Sequence, residues 1–336
     1  MKKKMLLTVC LLTASMSMWS DTRQAVLLLH NGSGTTFEFT QLQDAVNAAE
    51  SGDTLLLSEG KFTLSKTLTI DKGISIVGAG TATEISGSIT VSIPSVVVSQ
   101  DELGNEVTEK PSLSATMFES VKIRGSVNIN KELSGFRMKK CWITSSFLSA
   151  SPIDDANIDR CVISTFYAES VVSLNIINSH IGINNSDGGT NIKELNYINC
   201  TIGSMGSLCA NIKATYINCI IGDTKGSIRN STLINTLYTS TVENKITTEG
   251  SNLSYIDHCY VGQFTYTTNE GMVTLSATKE QLLAAGYLGN DGTVVGVEGG
   301  LTPFSLVPST VSVTESHLTV DPDKKQLNVT LKVKAN

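Results

Sequence analysis

The sequence predicts an all-β fold: a single-stranded, right-handed parallel β-helix of about ten coils, with a capping helix before it and a β tail after it. Two observations predict this class, a phrase that recurs about every twenty residues and strand-forming residue types within each recurrence. One amphipathic helix just before the first coil is the third, because an open stack of coils needs a cover at its end.

The repeat is clearest in residues 197–203 and 216–222, which have the sequences YINCTIG and YINCIIG. Tyr197 and Tyr216 share a register, so we expect their rings to stack in the core. Looser copies share one small residue at the centre of the phrase. Successive small residues lie 17–23 positions apart, and they are Cys141, Cys161, Ser179, Cys200, Cys219, Thr236 and Cys259. A fixed period with constant register inside each unit indicates a solenoid.

Each unit has the composition of short strands. Ile, Val, Tyr and Thr alternate with Asn, Ser and Lys in short runs, as in strands with one buried face. Asn and Gly are expected at the corners, where positive φ costs least. The unit is too short for two helices and lacks the phrase of leucine-rich repeats, so the β-helix is preferred.

Residues 1–20 are predicted to be a signal peptide, because three lysines precede an apolar run that ends in small residues. No other apolar run approaches the ~20 residues that span a bilayer. We therefore expect an exported protein, secreted, periplasmic or on the cell surface, without a membrane span. Without the three lysines the formal net charge of −6 becomes −9, which argues against a nucleic-acid partner.

The remaining chain is predicted to contain the β-helix in residues 21–300 and a small β tail in residues 301–336. The capping helix is expected at about residues 40–50, where Leu42, Ala45, Val46 and Ala49 form one apolar face and Thr40 and Gln43 form a capping box. Residues 99–117 are expected to project as a polar loop, and residues 279–285 as a short helical turn.

Six cysteines follow the signal peptide, and five of them share the small position of the repeat. Stacked strands place equivalent residues ~4.8 Å apart with parallel side-chain directions, an unfavourable arrangement for the torsion of a disulfide. We expect buried free thiols in an internal ladder, with Ser179 and Thr236 as near-isosteric members.

Several short phrases at the start of the chain resemble the opening of pectin-lyase-like right-handed β-helix proteins. They are LQDAVNAA (42–49), SGDTL (51–55), EGKF (59–62) and ISIVG (74–78). Residues 291–300, DGTVVGVEGG, and the following Pro303-Phe304 resemble the closing segment of many secreted bacterial members. The resemblance implies the fold but no single activity, because that superfamily contains lyases, hydrolases, esterases, phage tailspikes and adhesins.

The strongest candidate site is the pair Lys140 and Arg160, which precede the small residue in consecutive repeats. Similarity to uronic-acid lyases of the superfamily implies that such cations neutralise a carboxylate and abstract a proton, with Ca²⁺ held by acidic residues. Asp154, Asp155 and Asp159 are the candidate Ca²⁺ ligands. A second hypothesis is that Lys140, Arg160 and Trp142 bind an anionic glycan without catalysis, with the two cations donating to its carboxylates and the indole stacking on a sugar. The third, which we prefer, is that both cations are solvated side chains at a bend.

Two further residues are candidates for sugar chemistry. Trp142 is expected to face outward and to offer a stacking surface for a sugar, although burial under a loop is an equal alternative. Asp187 lies in the phrase NSDG, which resembles the NTDG of polygalacturonases. The other catalytic phrases of that family are missing, and one carboxylate cannot be both general acid and general base, so a glycine-rich turn is preferred there.

The sequence therefore favours an exported, non-catalytic scaffold that binds a polysaccharide or surface glycan, or is adhesive. One alternative is a polysaccharide lyase or glycoside hydrolase acting on a uronate-containing polysaccharide. Another is a structural module for a partner protein. No cofactor is expected other than Ca²⁺ in the lyase case.

Overall fold

One continuous 25-stranded sheet winds into a right-handed parallel β-helix of about eight turns in the computed structural model. Equivalent strands of successive coils stack along the sides of this helix, and each such side is called a sheet below. The structure describes residues 25–100, 105–186, 191–206, 213–223, 231–239, 255–257, 260–262, 264–308, 311–321 and 326–335. The predicted count of ten coils was too high. Residues 96–100 and 106–109 form a hairpin in place of a coil, and residues 264–308 form a second hairpin, a helix and a segment of turns and bends.

The N-terminal elements are β1 (Ala25–His30), β2 (Ser33–Glu38), a 3₁₀ turn (Phe39–Gln41), α1 (Leu42–Ala48), β3 (Thr54–Leu57), β4 (Gly60–Thr63), β5 (Leu68–Ile70), β6 (Ser75–Ser86), β7 (Ile89–Val91), β8 (Val96–Gln100) and β9 (Glu106–Glu109). The central coils contain β10 (Phe118–Arg124), β11 (Val127–Ile129), β12 (Leu133–Ser134), β13 (Arg137–Lys139), β14 (Trp142–Ser149), β15 (Ile153–Asp154), β16 (Ala156–Asp159), β17 (Val162–Ala168), β18 (Val171–Ile177), β19 (His180–Asn184), β20 (Ile192–Ile198) and β21 (Thr201–Met205).

The last coils contain β22 (Thr215–Ile217), β23 (Ile220–Asp223), β24 (Thr232–Ile234), β25 (Leu237–Thr239), β26 (Tyr255–Asp257) and β27 (Tyr260–Gly262). They are followed by the antiparallel hairpin β28 (Tyr266–Asn269) and β29 (Met272–Leu275), by α2 (Lys279–Ala284), and by the antiparallel hairpin β30 (Val311–Asp321) and β31 (Gln326–Ala335). The predicted helical turn and the alternating strands of the tail are thus both present.

The N-terminal end is covered by a hairpin as well as by a helix. β1 pairs antiparallel with both β2 and β3, so it closes the first coil, and Leu42, Ala45 and Val46 of α1 are buried. The predicted Thr40–Gln43 capping box was wrong. Gln43 instead accepts a hydrogen bond from Thr69 N at 2.9 Å and donates to Thr69 O at 3.1 Å, which satisfies backbone groups of β5.

Each repeat turns sharply at one residue and is then fastened by the small residue after it. The Cys161 thiol donates to Asp159 O across the bend at 3.3 Å and accepts a hydrogen bond from Cys141 N of the preceding coil at 3.4 Å. Ser179 and Thr236 make the equivalent pairs of hydrogen bonds. The small position therefore needs a compact side chain that both donates and accepts, which cysteine, serine and threonine all provide.

The cysteines of this position are free and buried, as expected. They are Cys141, Cys161, Cys200 and Cys219; Cys209 and Cys259 lie outside the described residues. Burial raises the pKa of the Cys161 and Cys219 thiols well above the ordinary value, because a thiolate would lose its hydration.

The interior of the stack is a set of in-register apolar columns. Ile158, Ile176, Tyr197, Tyr216 and Leu233 follow one another in consecutive coils, and all are buried. The rings of Tyr197 and Tyr216 stack at 4.8 Å between centroids, as the sequence predicts for residues that share a register. Their hydroxyl groups accept hydrogen bonds from Asn184, so the phenols are buried with their polar ends satisfied.

The repeated glycines after the small residue do not form corners, contrary to expectation. Gly182, Gly203 and Gly222 lie inside β19, β21 and β23. A Cβ on Gly222 would lie 2.5 Å from Tyr266 Cδ1, and one on Gly203 would lie 2.9 Å from a methyl group of the same hairpin. These glycines form a flat floor on which the β28–β29 hairpin rests.

The predicted polar loop at 99–117 is a projecting antiparallel hairpin in its described part, β8 with β9. Its exposed apolar side chains include Val96, Val97, Val98 and Val107. Glu106 and Glu109 lie in β9 on either side of Val107, and the chain rejoins the stack at Ser112, which pairs with Ser134.

The cap gives a first testable prediction. Val46→Asp would place a charge against the apolar end of the first coil, at a position with no solvent exposure. We expect a loss of about 3–5 kcal/mol in the free energy of unfolding, measured by urea denaturation. Asn47→Asp on the exposed side of the same helix is the matched control, for which we expect little change. Equal stability of the two variants would show that α1 does not cap the stack.

Candidate functional site

The residue before each small position forms a ladder of sharp bends, the αL ladder. Its described members have φ between 47° and 55°, and they are Lys140, Arg160, Asn178, Asn199, Asn218 and Asn235; His258 lies outside the described residues. Asn tolerates this left-handed conformation better than most residues, whereas Lys and Arg are strained in it. The ladder is therefore first a conformational device, and the two cations are its exceptional rungs.

The two predicted catalytic cations, Lys140 and Arg160, do not form an exposed pair of charges. Lys140 is 8% exposed, and its pKa is lowered by burial and then by the neighbouring Arg160 and Lys139 charges. Arg160 is paired: its Nε lies 3.0 Å from Asp159 Oδ2, and its Nη2 contacts the same oxygen. Much of the positive charge expected to meet a uronate is thus buried or already neutralised within the chain.

Trp142 contacts the β28–β29 hairpin and is not a free stacking surface. Its indole Nε1 donates to Glu270 O at 2.8 Å, and Lys122 Nζ lies 4.4 Å from the ring centroid. Lys122 and Arg124 also pair with the Glu270 carboxylate, at 3.0 and 3.7 Å. Of the two alternatives open for Trp142, partial burial beneath a loop is the one observed, because the indole is half-buried against this hairpin.

The three candidate Ca²⁺ ligands are turned to different cations. Asp154 pairs with Lys110 at 2.8 Å, Asp155 with Arg137 at 2.7 Å, and Asp159 with Arg160. The bond from Lys110, followed by that from Ser173, lowers the pKa of Asp154. Within the described ranges no group of three or more potential metal ligands converges. Asp187, the polygalacturonase-like candidate, lies outside the described residues.

Residues 289–308, called the strap, cross the αL ladder as a series of turns and bends. Asn218 exchanges two hydrogen bonds with Asn290, at 2.9 and 3.1 Å, and Asn178 Nδ2 donates to Gly299 O at 3.0 Å. Pro308 then lies against Gly80 in an early coil. Arg160 and Lys140 occupy the rungs between Asn178 and that coil. The strap therefore spans the two coils that contain this predicted site.

His180 is buried beneath the strap. It is 6% exposed, its ring meets Phe304 edge-on at 4.5 Å between centroids, and its Nδ1 has no hydrogen-bond partner among the described residues. Burial lowers its pKa from 6.5 to about 4, so the imidazole is neutral near pH 7. No pattern in the sequence indicates this contact, because 124 positions separate the two rings.

A regular polar and apolar surface lies on the sheet that precedes the ladder. One outward column contains Arg137, Asn157, Asn175, Asn196, Thr215 and Thr232, and the column beside it contains Lys139, Asp159, Ile177, Ile198, Ile217 and Ile234. All twelve side chains are half-buried. We call this surface the amide–isoleucine face. Asn196 Nδ2 donates to Asn175 Oδ1 at 3.0 Å, which joins neighbouring rungs.

Charged residues alone do not indicate this face, although the repeats contain a pattern that does. Alternation places the residue just before each αL rung outward, and that residue is isoleucine in four successive repeats. An isoleucine at an outward position is unusual enough to mark a surface that interacts with something.

Lys140 gives the second prediction. Lys140→Asn replaces a strained rung with the residue used in four later coils, and it also removes a like charge beside Arg160. We expect the free energy of unfolding to rise by about 0.5–1 kcal/mol. Lys139→Asn, an extended outward residue next to it, should not stabilise. A large loss of stability in Lys140→Asn would mean that the lysine is held by contacts stronger than this strain.

His180 gives the third prediction. Its folded pKa lies below its unfolded value, so the unfolded chain binds the proton first and stability falls as pH falls from about 6.5 toward 4. Between pH 7 and 4.5 this one group should remove about 2–3 kcal/mol. His180→Leu should lose that component while retaining the acid dependence of the carboxylates. Parallel stability curves for the two proteins would contradict the assignment.

No helix in the described part of the chain is long and apolar enough to cross a membrane. No protein-family model, curated protein or solved structure matches the chain.

Proposed function

We propose that this chain is an exported, non-catalytic β-helix that binds a linear surface glycan along the amide–isoleucine face. The observation that carries the proposal is the pair of in-register outward columns, one of amides and hydroxyls and one of isoleucines. A sugar ring has apolar C–H faces and hydroxyl edges, so a surface with both properties side by side suits it.

The repeat of the face also suits a polymer. Stacked coils repeat every ~4.8 Å, so a chain of sugars lying across several coils meets the same pair of side-chain types at each step. Asn175 and Thr215 can donate to sugar hydroxyl groups, and Asn196 Oδ1 can accept from one. The Asn196 amide protons bond to Asn175 and Glu194. Contacts that are individually weak then add along the polymer.

Export and superfamily membership are parts of the same proposal. The signal-peptide pattern of residues 1–20 supports export, and the opening and closing phrases support a pectin-lyase-like, secreted bacterial type. The acidic balance of the chain favours a neutral glycan over a strongly anionic one.

The fourth prediction tests the face. Asn175→Ala/Asn196→Ala should weaken binding to the glycan-array component that the wild type binds best by about 1–2 kcal/mol, through lost hydrogen bonds. The matched control is Thr90→Ala/Asn128→Ala, an in-register, half-buried pair on another sheet, which should bind normally. An unchanged profile for the first variant, or equal losses in both, would exclude this face.

The same glycan-array measurement also tests the Lys140–Arg160 pair. If Lys140→Ala/Arg160→Ala abolishes binding while Asn175→Ala/Asn196→Ala does not, the glycan binds at Lys140 and Arg160 instead. Formation of unsaturated product from a uronate-containing polysaccharide, followed by absorbance, would overturn the non-catalytic assignment in favour of a lyase.

A further inference from the structure

A cleft of about 520 Å³ lies on the sheet that follows the αL ladder. Its floor is an in-register column formed by His180, Thr201 and Ile220. β29 of the hairpin forms one wall, the strap forms the other, and α2 closes one side. Three separate segments thus enclose one concave space, within the size range of small-molecule sites.

The floor has hydrogen-bonding capacity that the protein does not use. His180 Nδ1 is buried without a partner in the described part of the chain. Thr201 Oγ1 accepts a hydrogen bond from Val297 N at 3.3 Å, and its own proton has no acceptor among the described residues. Both groups are more than nine-tenths buried. Unpaired polar groups of this kind are costly, and a ligand that pairs with them recovers the cost.

The surroundings of these two groups define the ligand. The walls are largely apolar, with Val295, Val297, Leu282 and Phe304 among them, so an apolar ring face fits there. The Lys279 ammonium at the rim donates to Glu298 O at 3.3 Å, and acidic side chains stand beside it. The floor contains no charged side chain at pH 7, so nothing there favours an anion or a cation.

We propose that the cleft binds a neutral six-membered ring compound bearing hydroxyl groups, in the manner of a single pyranose. One hydroxyl pairs with His180 Nδ1 and another accepts the Thr201 proton, while the ring lies against the strap. Neighbouring coils are ~4.8 Å apart, a span that two hydroxyl groups of one ring can bridge. The cleft lies on a different sheet from the amide–isoleucine face, so this inference does not depend on the proposed function.

The experiment follows the imidazole signals of His180 by NMR in the full chain, assigned by their loss in His180→Gln. The probes are methyl β-D-glucopyranoside, cyclohexanol and methylcyclohexane, the last two matched in size and different in the hydroxyl group. We expect the two hydroxylated probes to shift the His180 signals at millimolar concentration and methylcyclohexane to shift them far less. Equal affinity for cyclohexanol and methylcyclohexane, or no shift with any probe, would overturn the proposal.

Three variants at equivalent outward positions separate ligand binding from folding. Thr201→Val should weaken binding of methyl β-D-glucopyranoside about three- to tenfold, as the loss of one hydrogen bond implies. Thr201→Ser keeps the hydroxyl group and should bind normally, and so should Thr90→Val, at a half-buried threonine of β7 outside both proposed sites. Wild-type affinity in Thr201→Val, or its loss in Thr90→Val, would contradict the assignment. If methyl β-D-glucopyranoside binds less tightly than cyclohexanol, the sugar-like specificity is wrong.

Discussion

The structure depends on one local arrangement, a left-handed residue followed by a small side chain that bonds on both sides of the bend. The bend aligns each coil with the previous one, and the thiol or hydroxyl group after it ties the two coils together. Because these bonds repeat in register, they align the columns of residues inside and outside the coils that run from Lys140 to Thr236. The aromatic core, the isoleucine column and the αL ladder are all consequences of this single register.

The chain then uses the outside of its own stack as a docking surface. Glycines at an outward position allow the β28–β29 hairpin to approach the sheet closely, and Glu270 secures it through Lys122, Arg124 and Trp142. The strap is held by Asn178 and Asn218, rungs of the ladder that it crosses. Residues that attracted attention as catalytic candidates are largely neighbours of these attachments.

A feature could be predicted from the sequence when the residues that produce it lie close together in the chain. The repeat, the small-residue ladder, the buried tyrosine pair and the capping helix depend on residues within one or two coils, so periodicity alone indicates them. The contacts of the strap and of the β28–β29 hairpin depend instead on residues far apart in the sequence. Asn178 meets Gly299, and Trp142 meets Glu270, across more than a hundred positions with no pattern linking them. The Gly203 and Gly222 expectation failed for the same reason, since what requires glycine there is a hairpin that arrives later in the chain.

The thiol ladder has a consequence for how the molecule must mature. In the described part of the stack the four cysteine sulfurs are buried, and each thiol donates to a carbonyl oxygen. Burial also raises the pKa of Cys161 and Cys219, which disfavours the thiolate that an oxidant would attack. An extended chain has no such protection, and a cross-link formed between two coils would pull the small positions out of register. In an oxidising compartment, the outcome of folding therefore depends on two rates, that of coil stacking and that of disulfide formation. The correct register forms when the coils stack before the thiols are oxidised.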